Sequence, residues 1–205
     1  MQSPKSFPHL EDRTNSPGVV GSSDDYVYAI WIVPAYSSDI EKRYRKFTKW
    51  ALSHEDEFED MQLPTAPHVT LARGINLKPG QSFVSVLRHI ASKKVSSMDI
   101  KFGKLAVGDT YYERVYVQVE RTPALNELQT AAYELADDTP DNKIVEPLMP
   151  LVYAKSVNHY YGTSDPVETF SSISSVKWEN PSFLELVQVN KTTHQGIICD
   201  RIELS

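Results

Sequence analysis

The sequence predicts an α+β fold made of two halves that share a similar order of elements. Runs of β-branched and aromatic residues alternate with amphipathic helical stripes, and Pro, Gly and Asn separate them. Strand, helix, strand, helix and strand in the first half are followed by strand, helix and further strands in the second. This weak internal duplication places His68 and the Leu148–Pro150 segment at equivalent points of two lobes.

The first predicted element is a buried strand over Tyr26–Val33, a run of β-branched and aromatic residues that stops at a proline. The Ser-Ser-Asp sequence at 37–39 supplies N-cap candidates for a helix from about Ile40 to Ser53. The strand that contains His68 comes next. A second helical stripe, Ser82–Ser92, completes this half.

The second half begins with two predicted strands, Met98–Val107 and Tyr111–Glu120, that meet at a Gly108-Asp109 turn. Pro123 stands where the first turn of a helix tolerates proline, and apolar residues at helical spacing continue to Leu135. Three further strands are predicted to close the chain: Leu151–Ser156, Phe183–Asn190 and Ile197–Leu204.

The composition sets the domain organisation and excludes several classes of protein. Residues 1–25 are predicted to be a disordered tail and 26–205 a single domain of two lobes, because the tail has few bulky apolar residues. A net charge of −6 argues against binding long nucleic acid through a basic surface, although a small anion in a local pocket is compatible with it. The single cysteine, Cys199, excludes an intramolecular disulfide. With no apolar run near the roughly 18 residues of a membrane span, we expect a soluble, intracellular protein.

The most informative motif is Pro67-His68-Val69-Thr70-Leu71. Because side chains alternate along a strand, His68 and Thr70 share one face while Val69 and Leu71 point to the core. An imidazole beside a hydroxyl can hold a phosphate oxygen and move one proton. Hydrolysis of a phosphodiester uses a base on one side of phosphorus and an acid on the other. The equivalent segment, Glu146–Tyr153, has neither His nor Ser.

Four landmarks in this order resemble the 2H phosphoesterase superfamily, and within it the fungal and plant cyclic phosphodiesterases. They are Trp31–Pro34, Pro67–Leu71, Tyr111–Tyr116 and Pro150–Tyr153. The resemblance implies two facing antiparallel sheets with outer helices and a central cleft. It also implies metal-independent opening of 2′,3′-cyclic nucleotides to 2′-phosphates, and of the ADP-ribose 1″,2″-cyclic phosphate left by tRNA splicing.

The resemblance implies roles for four side chains. His68 corresponds to one of two acid/base imidazoles, and Thr70 to a hydroxyl donor to a nonbridging phosphate oxygen. Tyr153 corresponds to the aromatic residue that follows the second motif, and Tyr112 to an aromatic position before the next strand; both are expected to bind substrate. No cofactor and no metal site are expected. The partner is a small cyclic-phosphate nucleotide, and we expect a cytoplasmic monomer, with Golgi association by analogy to fungal members.

The chain departs from the family in the second motif, which reads Pro-His-x-Ser-Leu before an aromatic residue. Without a gap, Leu148 and Pro150 replace His and Ser. With a gap, Pro150 is the proline before the motif and three residues are missing, either truly or through a splice-junction error. The gap is preferred because it requires no two independent substitutions. His159, in a loop beyond the strand, is not expected to replace the imidazole. The chain is then an impaired phosphodiesterase or, alternatively, a catalytically silent nucleotide-binding module.

Overall fold

A computed structural model describes residues 25–75, 77, 81–93, 100–136, 146–158, 178 and 182–204. The predicted tail lies outside these residues, apart from Asp25, and so does His159. Short 3₁₀ turns lie at Glu55–Glu57 and Tyr111–Glu113. The main elements, in chain order, are β1 (Tyr26–Pro34), α1 (Asp39–Ser53), β2 (Phe58–Glu59), β3 (Val69–Arg73), α2 (Phe83–Ala91), β4 (Phe102–Val107), β5 (Val115–Val119), α3 (Pro123–Tyr133), β6 (Leu148–Val152), β7 (Ser156–Val157), β8 (Ser182–Asn190) and β9 (Gly196–Leu204).

Two antiparallel sheets form the framework, as the resemblance implied. The first has the strand order β3-β1-β8-β9 and the second β4-β5-β6, while β2 and β7 form a two-stranded ribbon. Helices α2 and α3 pack on the first sheet, and α1 contacts β6 of the second. Strands β3 and β6 approach each other, so the two sheets meet along these strands. The fold is therefore the predicted α+β arrangement of two lobes.

The helices begin where the sequence places their caps. The Ser38 side chain accepts a hydrogen bond from the Glu41 N–H at 3.3 Å, and the Thr122 side chain accepts one from the Leu125 N–H at 3.3 Å. Such a cap satisfies one of the backbone donors that a helix start leaves unpaired. Pro123 occupies the first turn of α3, as predicted.

A large apolar core lies between the sheets and the helices, and burial of each of its large side chains stabilises the fold by roughly 1.5–3 kcal/mol. A smaller apolar cluster covers the opposite face of the first sheet, where β1 contributes Ala29, Trp31 and Val33 and β8 contributes Val187. Strand β1 is therefore buried on both faces over most of its length. Its continuous apolar run in the sequence reflects this double burial.

The predicted two-residue turn at Gly108 and the predicted strand start at Tyr111 are wrong. The Gly108 N–H donates to the carbonyls of Glu113 and Arg114 at 3.1 and 3.3 Å, so the chain forms a longer loop that contains a 3₁₀ turn. The Arg114 guanidinium secures this loop by donating to the carbonyl of Gly108 at 2.9 Å and to that of Ala154 at 3.2 Å. The contact with Ala154 spans 40 residues and is invisible to local sequence patterns.

Strand β3 carries a β-bulge directly after the predicted motif. Trp31 of β1 pairs with Thr70, and Ile30 pairs with Ala72, which leaves Leu71 as an extra residue on β3. A bulge of this kind shifts the alternation of side chains beyond it. The predicted alternation therefore holds up to Thr70 and changes phase after it.

Strand β6 carries the same irregularity. Tyr116 of β5 pairs with Pro150, and Val115 pairs with Val152, which leaves Leu151 as the extra residue. The strand begins at Leu148, three residues before the predicted start, and ends at Val152. The 148–150 segment is therefore part of the strand itself.

Aligning the two bulges corrects the preferred alignment of the second motif. Leu148 falls at the position of His68 and Pro150 at that of Thr70, without a missing residue. The registers support replacement of the two side chains and count against the gap that sequence reasoning preferred. A substituted strand keeps its hydrogen-bonding register, whereas a deletion of three residues would have displaced the bulge.

We predict that Gly108→Ala destabilises the protein by about 1–3 kcal/mol, since overpacking costs this much. A Cβ at this position would lie 2.5 Å from the Glu113 carbonyl oxygen. Urea unfolding monitored by circular dichroism measures the change. The matched control is Gly103→Ala, whose Cβ would lie 3.2 Å from the Gln118 Cβ, a less severe contact that should destabilise the protein by less than Gly108→Ala does. Equal effects of the two changes would contradict the account of the Gly108 loop.

Candidate active site

His68 lies immediately before β3 with its ring held on three sides. It is 1 % exposed and stacks on Trp31, with ring centroids 3.8 Å apart and planes 13° from parallel. Its Nδ1 lies 2.8 Å from the carbonyl oxygen of Ala66. Because a carbonyl only accepts, this nitrogen carries the proton of the neutral ring. The bare Nε2 then lies 3.4 Å from the Tyr153 hydroxyl.

The charge state of His68 follows from its burial. Loss of hydration lowers the pKa of this imidazole to about 3, although its hydrogen bond to Ala66 opposes the change. The nearby Arg73 guanidinium lowers the pKa further, because two cations repel each other. His68 is therefore neutral at pH 7 and presents an unprotonated nitrogen, which is the form that a general base requires.

The bulge in β3 brings Arg73 to the same side of the sheet as His68. Simple alternation from Thr70 would place Ala72 on that side and Arg73 in the core. The extra residue, Leu71, reverses the order: Ala72 is buried in the core and Arg73 lines the cavity. Sequence reasoning missed this arginine. An arginine at a core-facing position of a strand was the signal of a bulge, because an unpaired buried charge is strongly disfavoured.

Tyr112 and Tyr153 form one wall of the cavity, and a third tyrosine, Tyr111, packs beside them. The Tyr112 ring lies edge-on to that of Tyr153, with centroids 5.3 Å apart, and Tyr111 packs against both. The Arg73 guanidinium lies over the Tyr112 ring, 4.6 Å from its centroid. Burial raises the pKa of Tyr153 far above its usual range, and burial also raises the pKa of Tyr112. Both phenols are therefore uncharged at pH 7.

His194 reaches this wall from the turn between β8 and β9. Its Nδ1 and the Tyr112 hydroxyl form a short hydrogen bond, and its ring packs 4.4 Å from that of Tyr111. Burial lowers the pKa of His194. Sequence reasoning gave this residue no role. The contact with Tyr112 spans 82 residues, so no local pattern indicated it.

The four residues predicted from sequence meet at one cavity of about 60 Å³. Since about 10–15 Å³ of such volume is enough to hold one water molecule, this cavity has room for a small polar group such as a phosphate. Arg73 and His194 line it as well. The complete lining is Val27, Ala29, Trp31, His68, Thr70, Arg73, Tyr112, Tyr153, Val189 and His194. The cavity thus brings together two imidazoles, one guanidinium and one aliphatic hydroxyl.

A second, more polar pocket of about 580 Å³ adjoins the cavity, and His194 lines both. It is lined by Glu55, Phe58, Asp60, Met61, Gln62, Tyr111, Lys155, Thr192 and His194. Within the described ranges, no three His, Cys, Asp or Glu side chains lie together as ligands for a metal ion. None of the described helices is long and apolar enough to cross a membrane.

Residues 27–191 match the family described as cyclic phosphodiesterase-like protein. The chain belongs to this family. A Schizosaccharomyces pombe protein named uncharacterized protein UNK4,15 is 60% identical to it over 198 residues, which cover 96% of this chain and 95% of the relative. A cyclic phosphodiesterase-like protein is what the motif at His68 and the order of the four landmarks predicted.

Solved structures confirm the fold of this family member. A crystal structure described as a phosphoesterase has a TM-score of 0.56 at 8% identity, covering 88% of this chain and 99% of its own. Escherichia coli LigT complexed with 3′-AMP has a TM-score of 0.53 at 12% identity, covering 88% and 98%. LigT complexed with NADP+ scores 0.52 at 12% identity, covering 88% and 97%. The chain therefore has the 2H phosphoesterase fold that its landmarks predicted.

We predict that His68 makes the protein sensitive to acid. The folded state holds this imidazole neutral down to about pH 3, whereas the unfolded chain protonates it below about pH 6.5, so stability is lost as the pH falls. Between pH 7.5 and 4.5 the free energy of unfolding should fall by about 2–3 kcal/mol more in the wild type than in His68→Asn. Urea unfolding at both pH values measures this difference. The exposed His89→Asn is the control, and parallel pH dependence of all three proteins would contradict the prediction.

Proposed function

We propose that this protein slowly hydrolyses 2′,3′-cyclic nucleotides to 2′-phosphates at the cavity that contains His68 and Thr70, without a metal ion or cofactor. The observation that supports this most is the fixed tautomer of His68. Its Nδ1–H is held by the Ala66 carbonyl, so the unprotonated Nε2 is the nitrogen that can accept a proton, and in this structure it lies 3.4 Å from the Tyr153 hydroxyl. Family membership supplies the reaction class.

His68 acts as the general base in this proposal. Its Nε2 accepts a proton from the attacking water, and the neutral ring needs no prior deprotonation at pH 7. The Thr70 hydroxyl and the Arg73 guanidinium stabilise the negative charge that develops on the nonbridging phosphate oxygens. Strain in the five-membered cyclic phosphate assists departure of the ribose oxygen. General acid/base assistance of this kind contributes about 10²–10⁴ in rate.

The nucleotide part of the substrate extends into the adjoining polar pocket. The cavity of about 60 Å³ has room for the phosphate alone, whereas the neighbouring pocket of about 580 Å³ is of the size of a ligand site. The LigT structures with 3′-AMP and NADP+ show that proteins of this fold bind nucleotides. ADP-ribose 1″,2″-cyclic phosphate is the second substrate that we propose.

A catalytically silent nucleotide-binding module is the second candidate, and the replaced motif favours it. Leu148 is buried, yet it belongs to neither apolar core cluster, in contrast to its neighbours Met149 and Leu151. It therefore lies on the strand face that corresponds to His68. Neither Leu148 nor Pro150 can transfer a proton or donate a hydrogen bond to phosphate. A silent module would bind the same nucleotides without turnover.

We predict that His68→Asn lowers kcat/KM for 2′,3′-cyclic AMP by about 10²–10⁴, because asparagine keeps the donor to Ala66 but cannot accept the proton of water. Chromatographic measurement of 2′-AMP release in EDTA gives the rate, and His89→Asn should match the wild type. A wild-type rate no higher than that of buffer, together with calorimetric binding of the nucleotide, would establish the silent module instead. Loss of the rate in EDTA alone would refute the metal-independent reaction.

We predict that Leu148→His combined with Pro150→Ser raises turnover by about 10²-fold or more, because it returns an imidazole and a hydroxyl donor to the positions of β6 that correspond to His68 and Thr70. Adding His68→Asn to this double variant should abolish the gain. The same assay measures all of these proteins. A double variant that folds but turns over at the wild-type rate would refute the assignment of these two positions to the second motif.

A further inference from the structure

We propose that His194 is the general acid of this reaction, supplied by the turn between β8 and β9 in place of the missing imidazole of β6. The inference rests on the proposed hydrolysis and adds a catalytic residue to it. His194 belongs to the first sheet, whereas the replaced motif belongs to the second. The role proposed for His194 therefore depends on the β8–β9 turn and on the tyrosines that contact it, and not on the second motif.

The first observation is that His194 and His68 line the same small cavity. His68 reaches the cavity from the position just before β3. His194 reaches it from the turn between β8 and β9 of the same sheet. A phosphate bound in this cavity of about 60 Å³ would lie among the side chains that line it, which include both rings. The proposal places the two imidazoles on different sides of phosphorus, each within the lining of this one cavity.

The second observation is the construction of the turn that holds His194. Its backbone has φ +57°, a left-handed conformation that residues other than glycine rarely adopt. Its N–H donates to the Asn190 carbonyl at 2.8 Å. The Asn190 side-chain oxygen accepts from the N–H groups of Thr192 and Thr193 at 2.8 and 2.7 Å. Strained backbone that persists under such bonding is concentrated at functional sites.

The third observation is the orientation of the ring. Tyr112 engages Nδ1, which leaves Nε2 as the nitrogen without a partner among the described contacts of this ring. When the imidazole is protonated, Nδ1–H donates to the Tyr112 oxygen and Nε2–H is free to donate to a ligand. His68 has the complementary form, with a proton on Nδ1 and a bare Nε2. One ring is prepared to accept a proton and the other to donate one.

The proposed step is balanced. The water oxygen forms a bond to phosphorus while its proton passes to Nε2 of His68. The bond from phosphorus to the 3′ oxygen of the ribose breaks, and its electron pair stays on that oxygen. The oxygen takes the proton from Nε2 of His194, which becomes neutral. Release of 2′-AMP and exchange of one proton each with solvent restore both rings.

The pH dependence of kcat/KM carries the signature of this assignment. Burial lowers the pKa of His194, so its acid form is depleted as the pH rises above a value below 6.5. The rate should therefore decline on the alkaline side through that value, and on the acid side only near pH 3, where His68 protonates. The charged and titratable groups that line the two spaces beside His194 are His68, Arg73, Tyr112 and Tyr153 on the cavity side and Glu55, Asp60, Tyr111 and Lys155 on the pocket side.

The test compares His194→Asn, His194→Gly and the control His89→Asn with the wild type in hydrolysis of 2′,3′-cyclic AMP. Asparagine and glycine both tolerate the left-handed backbone, so the turn is retained, and circular dichroism checks the fold. We expect a loss of about 10²-fold in kcat/KM for both substitutions, disappearance of the alkaline decline, and recovery of His194→Gly by added imidazole. His89→Asn should keep the wild-type rate and pH profile.

The Leu148→His and Pro150→Ser background supplies a second measurement. The restored β6 pair would provide its own acid, so His194→Asn should lower the rate of that double variant by less than about threefold. A loss as large as in the wild-type background would show that His194 has a structural role and would overturn the inference.

The remaining outcomes separate the two proposals. A wild type that hydrolyses the substrate while His194→Asn keeps its rate and pH profile overturns the inference and leaves the proposed function intact. A folded His194→Gly that loses activity and does not respond to imidazole also counts against His194 as the acid. A wild type without hydrolysis above buffer overturns the hydrolytic function, and the inference with it.

Discussion

One extra residue in β3 and one in β6 determine which side chains reach the cavity. A shift of one residue reverses the face of every side chain beyond it, so the bulge at Leu71 moves Arg73 from the core to the cavity. The bulge at Leu151 does the same for Tyr153, which lines the cavity although Val152 before it lies in the core. Without these bulges the cavity would lack both the Arg73 guanidinium and the Tyr153 hydroxyl that lies beside His68.

The local electrostatics of the cavity differ from those of the whole protein. The chain has a net charge of −6, which would repel a nucleotide at long range. Among the described residues that line the cavity, however, Arg73 carries a positive charge and the imidazole of His68 is neutral. A phosphate therefore meets one positive charge and several hydrogen-bonding groups in surroundings of low dielectric constant, where each interaction is stronger than in water.

The parts of the fold that were predicted correctly depend on short sequence patterns. The apolar run of β1, the cap at Ser38, Pro123 in the first turn of α3, and the alternation through His68 and Thr70 all act over a few residues. The errors arose where distant residues decide the structure. Arg114 secures the Gly108 loop by donating to the Ala154 carbonyl, which is 40 residues away in the chain. The bulge in β3 is defined by its pairing with β1, which no local pattern contains. The role proposed for His194 depends on Tyr112, which lies 82 residues before it.

Two features of the cavity lower the stability of the protein, and this supports a functional reading of both. Burial of His68 as a neutral ring costs folding free energy at acid pH, since the unfolded chain takes up the proton more readily. The left-handed backbone at His194 costs about 1–3 kcal/mol for a residue with a side chain. An apolar residue in place of His68 and a glycine in place of His194 would remove these two costs in folding free energy. The two unfavourable features converge on a single small cavity, where each imidazole is oriented by a hydrogen bond through Nδ1. The proposed hydrolysis uses both rings, since one accepts a proton from water and the other donates a proton to the leaving ribose oxygen.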